Sequence, residues 1–445
     1  MRGRAVPHPA FCIKKTNKEI NMKFIKVLAV LLLVVMCGTM FIACNEQPAT
    51  NEEKPKITLT VWASQEDQEM IKEMCAAYAA ANPQNTYKFL FGVQGENDAA
   101  DKVLNDVTSG PDVFAFASDQ INKLYTGGAL ARIGGDIEKQ VKANNTADSI
   151  DASTLTINGQ DMLYAYPMTG DNGYYVYYDK RVYSDPSQLG TLDSMIDTAK
   201  SAGKNVHFAL TNGWYLSGFF FAIDSLGYKV NYDENLVEQS VEINYNNADG
   251  LKVAQSIRDY FFGAEGSLVI NTDDSKIIAG FNDGSTAAAV TGIWNLKTIQ
   301  SILGENMGVC VLPTANIGGE QTQLSSYRGC KLVGVNNYSQ NKGEAHKLAL
   351  WLTNEQNQLK RYEVRGFGPT NLNAIENPTI KNDPVLSVIF QQAEYARTQK
   401  GVPGKYWDPL AALFLEFTTA EDSSLYTDAY LQEMLDACVK AIKGE

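Results

Sequence analysis

The alternation of apolar and polar positions predicts a chain built from short strands and helices in turn. Residues 57–62 read ITLTVW, in which apolar side chains alternate with threonines as in a half-buried strand. Ser64 and Asp67 predict a capping box, and apolar side chains then recur at helical spacing over 70–81. Further strands are expected at 87–91 and 112–116, with helices at 98–107 and 120–125. This order is typical of a parallel sheet that helices cover on both faces.

The same order resumes after a short segment at 166–170, which reads YPMTG. Apolar runs at 309–312 and 331–335 are expected to form strands on either side of a glycine-rich loop. Two α/β lobes joined at 166–170 follow from this pattern, and in such folds ligands bind at the carboxyl ends of strands. The other expected strands are 174–178, 206–210 and 286–291, and the expected helices are 217–226, 275–281, 345–353, 385–396, 410–417 and 425–442.

The N-terminal residues have the order of a secretory signal: lysines, an apolar run and then small residues. The apolar run 27–37 has 11 residues, fewer than the roughly 20 that a membrane-spanning helix needs. Ala43-Cys44 resembles the lipidation site of bacterial lipoproteins, and the polar stretch that follows is suited to a tether. We therefore predict a leader at 1–43 with the natural start at Met22, lipidation at Cys44, and a lipidated tether at 44–56.

The net charge argues against nucleic acid as a partner. The formal charge is −13, and it becomes −19 without the predicted leader, which carries seven basic residues and one acid. A negative surface repels phosphate backbones, and it also disfavours peripheral binding to anionic lipid. The hydrophobic content of 44% is ordinary for a globular protein with a core. The length that remains after the leader is suited to two or three domains.

The cysteine and histidine content disfavours metal sites and Ser–His hydrolase chemistry. Only His207 and His346 follow the leader, and no cysteine lies in a CxxC pair. We expect no metal, no cofactor and no catalytic residue. Buried free thiols and a bridge between Cys310 and Cys330 both remain open for the cysteines after the predicted lipidation site, which are Cys75, Cys310, Cys330 and Cys438.

Aromatic and acidic residues gather just after the predicted strands and at helix starts. Trp351, in the middle of a predicted helix, is the one tryptophan of five that stands away from an element end. Each of these residues taken alone is better explained by packing or solvation than by ligand binding, whereas their joint placement favours a ligand site. The residues at element ends are Trp62, Phe116, Asp119, Asp171, Trp214, Tyr215, Trp294 and Trp407.

This mixture of residue types is what sugar binding requires. A pyranose has an apolar face that packs on an aromatic ring, and aromatic side chains bury a large area at low entropic cost. Its hydroxyls need hydrogen-bond partners, and bonds to charged groups contribute roughly 1.5–3 kcal/mol against about 0.5–1.5 for neutral ones. Carboxylates such as Asp119 and Asp171 are therefore efficient partners for hydroxyls. A few stacked rings and charged bonds reach the roughly 8 kcal/mol of a micromolar site.

Several segments together resemble the family 1 extracellular solute-binding proteins of ABC importers, especially their maltose- and maltodextrin-binding branch. The resemblance covers the whole chain after the leader. It implies an α/β, two-lobed periplasmic-binding-protein-like fold of type II, with the ligand cleft between the lobes. The segments that carry it are LTVWASQEDQ, SGPDVFAFASDQINKLYTGGALARI, NGQDMLYAYPMTGDNGYYVYYDK, AGFNDGSTAAAVTGIWNL and GVCVLPT.

The resemblance also implies ligand-binding roles for residues that match the family's pattern. Arg328 and Arg365 have no clear equivalent in that pattern and are retained as candidate donors in the cleft. Departures from the pattern put the identity of the sugar in doubt more than the sugar class: Phe116 replaces the usual Trp, Gln120 an Arg, Gly213 a Glu and Ala411 an Arg, while Trp214 offers another stacking face. The matching residues are Trp62, Glu66, Phe116, Asp119, Asp171, Tyr215, Trp294 and Trp407.

We therefore expect a monomeric lipoprotein on the outer face of the bacterial cell membrane, which binds an oligosaccharide and passes it to the permease subunits of an ABC importer. A malto-oligosaccharide is the expected ligand. Two alternatives remain open: another solute or glycan on the same fold, or a secreted glycosidase. The expected lobes are 57–168 with about 328–376 for the N-lobe, and 169–327 with about 377–445 for the C-lobe.

Overall fold

A computed structural model describes residues 54–445, and residues 55–445 form one compact unit. The predicted leader at 1–43, the lipidation site Cys44 and the tether up to residue 53 lie outside the described residues, so these three assignments stay predictions. Within the described part of the chain, no helix is both long enough and apolar enough to cross a membrane.

Eighteen strands are present among the described residues. In chain order they are β1 Lys56–Ala63, β2 Thr86–Val93, β3 Val113–Ala117, β4 Thr154–Ile157, β5 Gln160–Leu163, β6 Tyr166–Thr169, β7 Tyr174–Asp179, β8 Asn205–His207, β9 Tyr228–Tyr232, β10 Glu238–Ile243, β11 Leu268–Val269, β12 Thr286–Gly292, β13 Met307–Cys310, β14 Thr314–Ile317, β15 Glu320–Gln323, β16 Tyr327–Arg328, β17 Lys331–Val335 and β18 Arg397–Thr398.

The α-helices of the described chain are joined to these strands by short loops and single 3-10 turns. In chain order they are α1 Gln68–Ala81, α2 Ala99–Asn105, α3 Ile121–Thr126, α4 Gly135–Asn144, α5 Ala147–Ser153, α6 Leu192–Ser201, α7 Gly213–Phe221, α8 Ala248–Gly263, α9 Asp274–Asp283, α10 Leu296–Leu303, α11 Lys342–Leu352, α12 Glu355–Arg365, α13 Leu372–Ile375, α14 Pro378–Lys381, α15 Pro384–Ala393, α16 Trp407–Ala412 and α17 Asp428–Lys443.

Two five-stranded sheets organise the molecule, and each with its helices forms one lobe. The first has the strand order β2-β1-β3-β17-β6, and the second has the order β11-β8-β12-β7-β13. The predicted parallel sheet is right for β1, β2 and β3, which pair in parallel. The fourth strand, β17, comes from a distant part of the chain and runs antiparallel to β3.

Alternating side chains place a core on both faces of each sheet. In β3, Val113 joins one hydrophobic cluster while Phe114 and Phe116 join the cluster on the opposite face. In β7, Tyr174 faces one cluster, and Tyr175 faces another. The tyrosine-rich run therefore packs on both sides of the second sheet, because successive strand residues point to opposite faces.

The chain passes between the two sheets at several points. The first passage is 170–173, between β6 of the first sheet and β7 of the second. The predicted crossover at 166–170 is mostly the strand β6, and the passage begins at the last residue of that segment. A second passage leads from β16 into β17, and a third lies between the helices α12 and α15. The lobe boundaries drawn from the sequence stay a prediction.

One local prediction is wrong. Ser64 caps no helix with its side chain, because the 3-10 turn Gln65–Asp67 intervenes and the Asp67 carboxylate accepts from Arg361 instead. The strands expected near 309–312 and at 331–335 form as β13 and β17, and they lie in different sheets. Of the two alternatives for Cys310 and Cys330, the structure shows free thiols and no bridge between them.

Candidate functional site

The carboxyl ends of parallel strands place aromatic and acidic side chains at one edge of each sheet. In the first sheet, Trp62 lies near the end of β1, and Asp119 follows β3. In the second sheet, Trp214 follows β8, Asp274 follows β11 and Trp294 follows β12. Hydrogen bonds and ring contacts then link some of these residues to partners far away in the chain.

Trp294 is held by an acidic neighbour. Its indole Nε1 donates to Asp274 Oδ2 at 2.9 Å, and the other carboxylate oxygen accepts from Asn295 Nδ2 at 2.7 Å and from Thr291 Oγ1 at 3.1 Å. A Cβ atom at Gly292 would lie 2.1 Å from the indole ring, so only glycine lets the ring approach the end of β12 this closely. The indole is half-buried, so part of its surface remains available for a ligand.

Three further aromatic rings form a second group. Trp214 stacks on Tyr327 with ring centroids 4.6 Å apart and an interplanar angle of 19°, and Trp407 meets the same tyrosine edge-on at 5.5 Å. Tyr327 is buried, whereas both tryptophans are half-buried. A Cβ atom at Gly213 would lie 2.7 Å from the Trp407 carbonyl oxygen. The glycine that departs from the family pattern therefore allows the start of α7 to pack against α16.

Asp119 is half-buried and takes part in a chain of side-chain hydrogen bonds. Its Oδ1 accepts from Gln399 Nε2 at 2.9 Å, and Gln399 Oε1 accepts from Asn172 Nδ2 at 2.8 Å. Burial raises the pKa of the Asp119 carboxyl to about 6, although a hydrogen bond from Trp407 and the charge of Lys123 act in the opposite direction. Asp119 is thus a carboxylate at neutral pH and a proton acceptor in mildly acidic solution.

A buried ion pair stands at the same edge of the first sheet. Lys331, the first residue of β17, places its Nζ 3.4 Å from Glu96 Oε2. The ammonium lies 4.6 Å from the centre of the Phe367 ring and 5.9 Å from that of Trp294. It therefore has neighbours from both lobes.

Three residues proposed from the sequence as ligand-binding are buried in the core or lie in an exposed turn. Phe116 is 0% exposed because hydrophobic clusters cover both faces of β3. It packs beside Phe114 and offers no ring face to a ligand. Tyr215 is buried against Tyr174, with ring centroids 4.9 Å apart. Glu66 is exposed in the 3-10 turn after β1.

Asp171 joins two passages between the lobes. Its Oδ2 accepts from the Gly368 backbone amide, and its Oδ1 is buried without a hydrogen-bond partner. Burial raises the pKa of this carboxyl, and the Gly368 amide opposes the rise. A carboxylate held in this way contributes to the geometry of the hinge between the sheets.

The two arginines retained as cleft donors are placed differently. Arg365 Nη1 lies 3.3 Å from Asp67 Oδ1, and its guanidinium stacks over Phe367 at 5.1 Å. Arg328 is exposed on β16, which pairs with β18. In the part of the chain that the structure describes, neither arginine side chain forms a hydrogen bond with Asp119 or a ring contact with the tryptophans described above.

Four residues of this region were missed by the sequence reasoning: Glu96, Tyr327, Lys331 and Gln399. Their partners lie far away in the chain, so no local spacing connects them. The one available signal was a lysine at the start of the apolar run 331–335, where burial of a charge requires a partner. No group of three or more histidine, cysteine or acidic residues able to hold a metal ion occurs within residues 54–445.

Comparisons with known proteins give a consistent result. Residues 73–387 match the model of a family described as bacterial extracellular solute-binding protein. The galactooligosaccharide-binding protein of Bacillus subtilis (strain 168) is 24% identical over 442 residues, which cover 95% of this chain and 98% of that protein.

Solved structures share the fold. One determined with acarbose is 31% identical, has a TM-score of 0.76, and is matched over 87% of this chain and 99% of its own. The maltodextrin-binding protein MalE1 from L. casei BL23, solved without ligand, is 22% identical with a TM-score of 0.69, over 87% and 99% of the two chains. The second likeness concerns the fold alone.

Proposed function

Because the chain belongs to the bacterial extracellular solute-binding protein family, we propose that it binds an oligosaccharide and delivers it to an ABC importer. A malto-oligosaccharide is the first candidate ligand. The observation that carries the proposal is the placement of half-buried tryptophans beside carboxylates at the carboxyl ends of the strands. The names of the relatives support a sugar ligand, and the galactooligosaccharide-binding relative supports a second glycan class.

In this proposal, ring stacking and charged hydrogen bonds both contribute to the affinity for the sugar. Trp294, Trp214 and Trp407 supply ring faces, with Trp62 at the opposite sheet. Asp119 accepts from a hydroxyl. The sugar contacts both lobes and selects the arrangement in which they are close together, because its affinity for that arrangement is greater. Lipidation at Cys44 keeps the protein beside its importer on the outer face of the membrane.

Binding without catalysis is preferred to the glycosidase alternative. A glycosidase needs two carboxyl groups on either side of the scissile bond. Of the acids near strand ends, Asp171 is buried at the hinge and bonded to the Gly368 amide, and Asp274 is bonded to Trp294 and Asn295. Both position protein groups, and among these three acids we assign Asp119 to a sugar hydroxyl.

A thermal-shift screen tests the proposed function. A ligand that binds only the native state stabilises it by about 2.7 kcal/mol at a hundredfold excess over Kd. We expect malto-oligosaccharides to raise Tm and to be recovered uncleaved. A shift with galacto-oligosaccharides alone would change the ligand but keep the importer role, whereas a response only to peptides or polyamines would contradict sugar binding.

Sugar affinity is expected to fall as the pH drops through about 6, the raised pKa of Asp119. Protonation removes the charged acceptor, and hydrogen bonds to charged groups contribute more than neutral ones. The stability of the free protein should respond to Asp119 in the opposite sense. A raised carboxyl pKa contributes stability below its ordinary range, and this contribution is lost as the pH rises through 6.

Titration calorimetry on either side of that pH, with denaturation curves at the same pH values, measures both effects. Asp119→Asn is the control variant, and its affinity should be weaker and show a flatter pH dependence. An unchanged pH dependence in this variant would assign the effect to another group.

Asp274→Ala is expected to weaken sugar binding about tenfold, or roughly 1.4 kcal/mol, by releasing the Trp294 indole from its 2.9 Å hydrogen bond. Asp273→Ala is the matched control, because its carboxylate accepts from the Lys276 amide and caps α9. The control should lose about 1 kcal/mol of stability with unchanged affinity. Equal affinities of both variants, measured by calorimetry, would show that Asp274 does not position the ring.

A further inference from the structure

The ion pair of Lys331 and Glu96 occupies an unusual position for a charged pair. The two residues are 7% and 8% exposed. Lys331 pairs with Ala117 of β3 and with Thr169 of β6, so it stands between the strand that leads to Asp119 and the strand that leads into the first passage. Glu96 lies in the loop after β2, and its backbone oxygen accepts from Gln120 Nε2 at 2.6 Å.

The ammonium has more donors than its surroundings use. A lysine ammonium carries three N–H donors. Within residues 54–445, its one hydrogen bond goes to Glu96 at 3.4 Å, which is long for a charge-assisted bond. Its other neighbours are the rings of Phe367 and Trp294 and the Asp171 carboxyl, whose pKa burial raises and the ammonium charge lowers. A buried charge with so little hydrogen bonding is costly to the fold, so a structural role alone explains it poorly.

We propose that Lys331 and Glu96 form a subsite for two neighbouring hydroxyl groups on the sugar ring that stacks against Trp294. The ammonium donates to one hydroxyl oxygen, and the carboxylate accepts from the next hydroxyl. The separation of their charged atoms is close to that between neighbouring hydroxyl oxygens of a pyranose, so one rigid diol satisfies both groups. This assignment rests on the proposed function and adds a specificity-determining pair to it.

The subsite also defines which sugars are rejected. The pair is neutral overall, and Asp171 contributes a further acidic group near Lys331. A carboxylate in place of the hydroxyl that faces Glu96, or an ammonium in place of the hydroxyl that faces Lys331, would be repelled by a like charge. A ring that lacks one of the two hydroxyls would leave a buried charged group without a partner, which is heavily penalised. The subsite therefore takes an uncharged ring with an intact pair of hydroxyls.

A sugar bound at this pair would also contact the other lobe. Lys331 and Glu96 belong to the first lobe, and Trp294 belongs to the second. A sugar ring that stacks on Trp294 while its hydroxyls bond to the pair connects the two lobes directly. The subsite thus contributes to ligand selectivity and to the preference of the ligand for the closed arrangement.

Titration calorimetry of the full chain with maltotriose, and with maltosides that each lack one hydroxyl, tests this inference. We expect Lys331→Met and Glu96→Gln each to weaken maltotriose binding about a hundredfold, since each leaves a desolvated charge unpaired. The double variant should be little worse than either single variant, because the two groups act as one unit. Lys347→Met removes a different lysine–glutamate pair, Lys347–Glu344 at 3.1 Å, and should not change the affinity.

The deoxy sugars distinguish a ligand contact from a purely structural role. One deoxy analogue should bind the wild type much more weakly than the parent maltoside, and Lys331→Met should no longer distinguish the two. A structural role would weaken all analogues in parallel, and that result would overturn the subsite. If the wild type binds maltotriose and Lys331→Met binds it with the same affinity, the subsite is overturned, whereas the proposed function stands. If the wild type binds neither maltotriose nor any of the maltosides, the malto-oligosaccharide proposal is overturned, together with the subsite that rests on it.

Discussion

Replacing Trp294 with alanine is expected to weaken oligosaccharide binding about a hundredfold, or roughly 2.7 kcal/mol. The indole is fixed by Asp274 at 2.9 Å and lies within reach of the Lys331 ammonium at 5.9 Å. Removing it takes away a preorganised apolar surface that stacks against a sugar ring at low entropic cost. The measurement is the Kd by calorimetry, accompanied by the free energy of unfolding.

Trp351→Phe is the control for this variant. Trp351 donates from Nε1 to the Met74 carbonyl oxygen at 3.0 Å and meets Tyr78 edge-on, so it belongs to the core of the first lobe. Its loss of one hydrogen bond should lower stability by about 1 kcal/mol and leave affinity unchanged. An affinity of Trp294→Ala equal to that of the wild type would remove Trp294 from the site.

Arg361→Met is expected to lower the free energy of unfolding by about 3–5 kcal/mol. Arg361 is 1% exposed and donates from Nη1 to Asp67 Oδ2 at 2.6 Å. The substitution leaves the buried Asp67 carboxylate with Arg365 Nη1 at 3.3 Å as its remaining cation. A buried carboxylate that keeps only this longer contact is far more costly than the loss of an exposed pair.

Two variants establish that the charge is the cause. Lys360→Met, at the neighbouring position of α12, removes an ion pair with Glu73 that is far more exposed, and it should change stability by less than about 1 kcal/mol. Adding Asp67→Leu to Arg361→Met should restore much of the lost stability, because both charges are then absent. Chemical denaturation measures all four proteins. A double variant no more stable than Arg361→Met would contradict this explanation.

Local patterns predicted much of the fold because each element carries its own period. The alternation at 57–62 and the helical spacing over 70–81 correspond to β1 and α1, and the tyrosine run of β7 packs on both faces of its sheet. The antiparallel entry of β17 into the first sheet was not predictable in this way. A strand's direction in a sheet depends on where the chain returns from, which no local pattern records.

Element ends were the most informative feature for the candidate site. The tryptophans at 214, 294 and 407 lie half-buried at such ends, as expected from their positions. Phe116 was misjudged because β3 is buried on both faces, so that neither face of the strand presents a side chain to a ligand. The capping motif at Ser64 was misread because Asp67 has a tertiary partner, Arg361, that competes for its carboxylate.

Long-range polar pairs account for the rest of what the sequence did not reveal. Lys331 is 235 residues away from Glu96 in the chain, and Asp119 is 280 residues away from Gln399. Such pairs form only in the assembled fold. Their members look like ordinary surface residues in the sequence, although three-dimensional structure buries them.

A crystal structure of the protein with maltotriose tests the central claim most directly. The proposal predicts a sugar between the two lobes, with one ring against Trp294, another within reach of Trp214 or Trp407, and a hydroxyl bonded to Asp119. Density for the sugar outside this region, with the Trp294 ring uncovered, would contradict the proposed binding site.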